Sequence, residues 1–135
     1  MIAAGFGCRA QCSAADICDA LELALRDNGA SATEVGGLFS TELVAAPALR
    51  EAAATLGKPL VLLPWAALAA AAPAALTRSA RVLERFGLPS IAETAALAGA
   101  LELGSGSARG GARLLAPRLA SGAATCALAR LAEEK

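Results

Sequence analysis

The chain contains no histidine and no tyrosine, and its only aromatic residues are Trp65 and three phenylalanines. Without histidine, Ser–His–Asp and Cys–His nucleophilic machinery is excluded, as is any imidazole-based metal site. Side-chain amines are nearly as scarce, with Lys58 and Lys135 alone. Proton transfer would therefore fall to a carboxylate, a cysteine or the substrate itself. So few rings serve base stacking poorly, and a formal net charge of zero gives the whole chain no pull toward nucleic acid. Nucleic acid is excluded as an expected partner.

Cysteine is sparse as well. Four in 135 residues fall short of a secreted disulfide scaffold. Cys8, Cys12, Cys18 and Cys126 form no paired C-x-x-C knuckle, so no metal site is expected. The opening "MIAAGFGCRA" has no basic residue before its apolar part and does not read as a signal peptide. One uncharged stretch, "PLVLLPWAALAAAAPAALT" (59–77), approaches the length of a membrane span. Pro64 and Pro73 interrupt it, and alanine supplies little transfer energy. It reads instead as a buried strand over Leu60–Leu63 and a short helix opened by Pro64. The expectation is a cytoplasmic protein with reduced thiols and no membrane partner.

A chain of this length makes one domain. "IAAGF" reads as a buried strand, followed by a helix that Ser13 and Asp16 cap and Gly29 stops. "VGGLFS" (35–40) and "LVLL" (60–63) are further strands, separated by a helix from Pro47 to Gly57. "TRSARVLERFG" gives a short helix, and Ser90 with Glu93 marks another helix start. After a Gly/Ser loop at 104–111, "RLLAP" and "AATCALARL" read as two strands joined by "RLASG". Strands alternating with helices, then a closing hairpin, predict an α/β fold with helices on both faces of a mixed sheet.

Charge is unevenly spread. Residues 1–57 hold three basic and seven acidic side chains, against nine and five in 58–135. No acid lies between Glu102 and Glu133, a window that contains Arg109, Arg113, Arg118 and Arg130. A segment of that sign suits a small polyanion. The turn "GFGCRA" also satisfies the dinucleotide fingerprint G-x-G-x-x-A, but the N-cap Ser13 comes three residues after Ala10, whereas a true fingerprint opens its helix within the motif. Helix N-termini after Ser13 and Ser90, with Arg9 beside the first, could instead face carboxylates or phosphates. On their own, Ser13, Ser90 and Glu93 also read as caps and nothing more.

Three stretches in order, "GFGCRAQCSAADI", "LPSIAETAAL" and "LAPRLASGAATCALA", resemble the CobE proteins and the C-terminal domain of CbiG, of cobalamin (vitamin B12) biosynthesis. The chain looks like the free-standing CobE type, and the domains that precede this one in CbiG are not expected. The resemblance implies a three-layer α/β/α sandwich in a single domain, 1–135, with no cofactor. It also implies a precorrin or corrin ligand, a tetrapyrrole ringed by acetate and propionate arms. Other enzymes of that pathway would be possible partners. Carried onto this chain, the binding positions are Gly5, Gly7, Cys8, Arg9, Ser13, Ser90, Arg118, Thr125 and Cys126. Gly5 and Gly7 would admit the ligand to the backbone, and Arg9 and Arg118 would pair with its carboxylates. Family members usually carry a lysine in the loop after the second strand; "STELVAAPALREAA" has none.

Two functions follow from this resemblance. A carrier or accessory protein would hold a pathway intermediate and needs no proton relay. The alternative is a hydrolase opening the lactone of a precorrin-5-type intermediate, as CbiG proteins are associated with, and Glu93 would then be the catalytic base. The residue classes present favour the binder.

Overall fold

Ser13 and Asp16 make the reciprocal capping pair that their spacing predicts. Asp16 N donates to Ser13 Oγ at 3.1 Å, and Ser13 N to Asp16 Oδ2 at 3.2 Å. Helix α1 (Ala14–Asp27) begins there, buries Ile17, Leu21 and Leu25, and ends at Asn28, followed by Gly29 at φ 62°. The computed structural model describes residues 1–42, 44, 47–104 and 111–132.

Strand β1 (Ile2–Cys8) precedes α1, and β2 (Val35–Thr41), α2 (Pro47–Leu56) and β3 (Leu60–Leu63) follow it. These three strands are parallel, with Gly5 opposite Phe39 and Phe39 opposite Val61. The chain continues through α3 (Trp65–Ala71), α4 (Ala80–Phe86) and α5 (Ile91–Leu103). It closes with β4 (Ala112–Leu114), β5 (Leu119–Ser121) and β6 (Ala124–Leu131). Strand β6 lies antiparallel to β1, giving the order β3-β2-β1-β6-β4 with β5 also paired to β6. Helices α1 and α2 pack together on one face of this mixed sheet, and α5 with α3 on the other. That is the expected three-layer sandwich.

The segment 59–77 resolves into β3, α3 with Pro64 as its N-cap, and a short 3-10 turn. Among the described residues no helix is long and apolar enough to cross a membrane. The segment "RLASG" needs correcting, because it is not a plain connection. It contains β5, which pairs with β6 from Leu119–Cys126 to Ser121–Ala124. The chain reverses one step later, at Gly122, whose φ of 59° suits a two-residue hairpin turn. Positions 105–110 of the Gly/Ser loop lie outside the described residues.

Helix α5 is the hub of the domain. Ten consecutive residues, Ile91 to Ala100, are buried, which demands an apolar surface all round and small side chains where the sheet comes close. A methyl group on Gly5 would overlap the Ala92 carbonyl and the Ala96 amide nitrogen, and one on Gly99 would run into the Phe39 ring. Strand alternation puts Gly5 and Gly7 on the same face of β1, toward α5, and turns Phe6 to the other. The first turn of α5 therefore comes to rest beside Gly7, at the carboxyl end of β1.

Candidate functional site

In open α/β sheets, ligands bind outside the carboxyl ends of strands where the chain leaves toward opposite faces. Here β1 leads into α1 on one face while α5 covers the other. A cavity of about 800 Å³ opens at that end. Gly7, Cys8 and Arg9 form one wall and Arg81, Val82, Arg85 and Phe86 of α4 another, with Ile91, Arg118 and Thr125 also in the lining. Four arginines line this cavity and, among the described residues, no acid does. A smaller hollow of about 370 Å³ lies at the opposite end of β1, beside Met1, Ile2, Glu34 and Arg130, and has no such cluster of one sign.

Five residues expected from the sequence, Gly7, Cys8, Arg9, Arg118 and Thr125, thus meet in one place. The register explains part of this convergence, since Gly7 pairs with Thr125 and Cys8 with Ala124. Arg9 is anchored just beyond, its N–H donating to Ala123 O at 2.9 Å. A methyl group on Gly7 would stand 2.6 Å from Thr125 Oγ1 and 3.9 Å from Ala92 N. Its absence leaves room between that hydroxyl and the opening turn of α5, whose leading N–H groups have no acceptor within the helix. Such a corner favours a negative group.

The other expected residues do not line the cavity. Gly5 faces the middle of α5, so its missing side chain admits a helix and not a ligand. Ser13 caps α1, and the buried Ser90 caps α5 by accepting from Glu93 N at 3.2 Å. Cys126 is fully buried, one position along β6 from Thr125 and so turned to the other face of the sheet.

Glu93 departs furthest from its expected role. It is fully buried, and its carboxylate does not complete a capping box with Ser90. Oε1 accepts the backbone N–H groups of Leu76 and Thr77, each at 2.8 Å. Oε2 accepts Thr77 Oγ1 at 2.7 Å and Arg118 N at 2.9 Å. A carboxylate enclosed by four donors and set back from the cavity is not positioned to activate a water there. The one described lysine, Lys58, is engaged elsewhere, donating from Nζ to Val35 O at 3.0 Å.

The expected reduced thiols also need correcting. Cys8 and Cys12 are joined as a disulfide with a Cα–Cα separation of 5.7 Å. The chain reverses tightly between them, with Gln11 at φ 66°, and this brings the sulfurs together. Cys18 and Cys126 remain free. Burial, then the charges of Asp19 and Glu51, raise the Cys18 thiol, and complete burial pushes Cys126 up much further. A buried thiol that stays protonated is a poor nucleophile. Iodoacetamide at pH 8 without reductant should therefore add one group to the native protein, at Cys18. Unfolding in guanidinium should add a second at Cys126, and a reductant two more. Labelling of Cys126 in the native protein, read by peptide mass spectrometry, would contradict this. The folded state keeps the Cys126 proton, which the unfolded chain releases near pH 8.5. Stability should accordingly fall as pH rises above that range.

Sequence reasoning missed Arg81 and Arg85. Their i, i+4 spacing within "TRSARVLERFG" puts both on one helix face, which was the available signal. Arg85 is steadied by the Phe86 ring, whose centre lies 5.2 Å from its guanidinium carbon. Conversely, of the arginines in the acid-free window after Glu102, Arg118 alone lines the cavity among the described residues. Arg130 sits at the far end of β6, and Arg109 lies outside the described residues.

A family model described as cobalamin synthesis G C-terminus matches residues 2–129. The crystal structure of CobE, a protein from the cobalamin (vitamin B12) biosynthetic pathway, is similar at 38% identity and a TM-score of 0.90, covering 100% of this chain and 93% of that one. The cobalamin biosynthesis protein chiG from Agrobacterium tumefaciens is similar at 30% identity and a TM-score of 0.69, covering 98% of this chain and 100% of that one. A cobalamin biosynthesis protein G homolog from Sulfolobus solfataricus shares the fold at 17% identity and a TM-score of 0.56, with 96% of this chain matched to 36% of that one. Among curated proteins there is no match.

Proposed function

The chain belongs to the CobE/CbiG C-terminal family of cobalamin biosynthesis, and from that premise we propose that it binds a corrin or precorrin polycarboxylate as a carrier or accessory protein. One observation carries this reading: Arg9, Arg81, Arg85 and Arg118 surround a single cavity whose lining includes no acid among the described residues. Val44, Val82, Phe86 and Ile91 give the same cavity apolar surface. A flat ring, apolar at its centre and fringed with carboxylates, needs both kinds of wall. The hydrolase reading has less support, because the carboxylate that would serve as its base is enclosed.

Trp65 offers an intrinsic probe, since its Nε1 donates to the carbonyl of Phe86, a residue of the cavity wall, at 2.6 Å. Titration with hydrogenobyrinic acid, a metal-free corrin polycarboxylic acid, should quench Trp65 fluorescence and shift the visible bands of the ligand. Raising salt from 0.05 to 0.5 M should weaken binding by roughly tenfold, because several partly exposed ion pairs are screened. Saturable binding indifferent to salt would contradict the arginine model, and absence of binding would reject the proposal. Incubation with the lactone-bearing intermediate should release no aldehyde; release would instead favour the hydrolase.

A further inference from the structure

This inference rests on the reading of the cavity just given. We propose that Glu93 is a positioning residue, which sets the arginines of the cavity in place before the ligand arrives. Glu93 is not itself part of the cavity lining, yet its carboxylate fastens the two segments from which three of the four arginines spring. Leu76 and Thr77 lie a few residues before α4, the helix that carries Arg81 and Arg85. The same segment is tied a second time, where Ser79 N donates to Pro89 O at 2.8 Å next to the cap of α5. Arg118 is held at its own backbone N–H, 2.9 Å from Oε2. Arginine side chains lose much conformational freedom when they pair with an anion, and fixing their roots beforehand lowers that loss. One buried side chain on the rigid hub helix thereby aligns groups from distant parts of the sequence.

Glu93→Gln tests this at nearly constant shape. The amide oxygen can still accept from Leu76 and Thr77, but the amide NH₂ then meets the Arg118 N–H, donor against donor. Affinity for hydrogenobyrinic acid would be measured by Trp65 quenching for the wild type, Glu93→Gln, Arg118→Ala and the double variant. Arg118→Ala should weaken binding about tenfold in the wild type and less than threefold in the Glu93→Gln background. Equal losses in both backgrounds would show that Glu93 serves stability alone and would overturn the proposal. An absence of binding by the wild type would instead remove the reading beneath it. Hydrogen exchange on the ligand-free wild type supplies a measurement that needs no variant to fold. The Leu76, Thr77 and Arg118 amides should exchange as slowly as those of α5, and rapid exchange at all three would also overturn it.

Discussion

Replacing Arg9 and Arg118 together by alanine is expected to weaken binding of hydrogenobyrinic acid by about a hundredfold. The two side chains enter one cavity from opposite ends of the sequence, the first past the end of β1 and the second ahead of β5. A hydrogen bond between charged partners contributes about 1.5–3 kcal/mol when sheltered. Arg9 is exposed and Arg118 only partly covered, so the lower limit applies, and about 1.4 kcal/mol corresponds to one tenfold step. Arg118→Lys separates charge from geometry. Lysine keeps the positive charge but not the planar fork, so it should recover only part of the loss. The double variant should also lose most of the salt sensitivity of the wild type. A loss below threefold would mean that the carboxylates of the ligand are held elsewhere.

Gly5→Ala should be the most damaging single substitution for the fold. The added methyl meets backbone on the facing helix: the Ala92 carbonyl, the Ala96 nitrogen, and the Ala96 Cα at 2.9 Å. No flexible side chain can move aside, so β1 and α5 must separate. Overpacking usually costs about 1–3 kcal/mol, and a clash with rigid backbone belongs at or above the top of that range. About 4 kcal/mol would lower the melting temperature by roughly 10–20 °C in a domain of this size. Gly57→Ala is the appropriate control. Gly57 has a φ of 67° and no atom within 4 Å of the added carbon, so only about 1 kcal/mol of backbone strain is expected. Thermal unfolding of both variants checks the pair. A Gly5→Ala protein melting within a few degrees of the wild type would show that α5 is not seated as closely as described.

The layout of elements was readable because local chemistry marks it. Ser13 and Asp16 cap α1, Gly57 and Gly87 close α2 and α4 with left-handed backbone, and "LVLL" is β3 to the residue. Strand β5 escaped notice because its three residues, Leu119–Ser121, are too few to show any period, and pairing with β6 alone defines it. The glycines of "GFGCRA" were legible as a close approach, but not as an approach of what. The direction of the missing Cβ decides that, and it assigns Gly5 to a helix and Gly7 to the cavity. Arg81 and Arg85 were hidden for a similar reason. Two arginines on a short polar helix describe a solvated face equally well until the path of the chain brings α4 to the end of β1. Glu93 shows the limit most clearly. Its spacing from Ser90 is that of a cap, but its oxygens answer to donors 16, 17 and 25 positions away.

The bare side of β1 also governs how freely this protein can vary. A bulkier residue at its centre would lift α5 bodily, carrying Ile91 away from the cavity and dragging the Glu93 tethers after it. Interior and mouth are thus a single mechanical unit. Mutational drift in the middle of the molecule would therefore reshape the distant cavity at the same time as it loosens the fold.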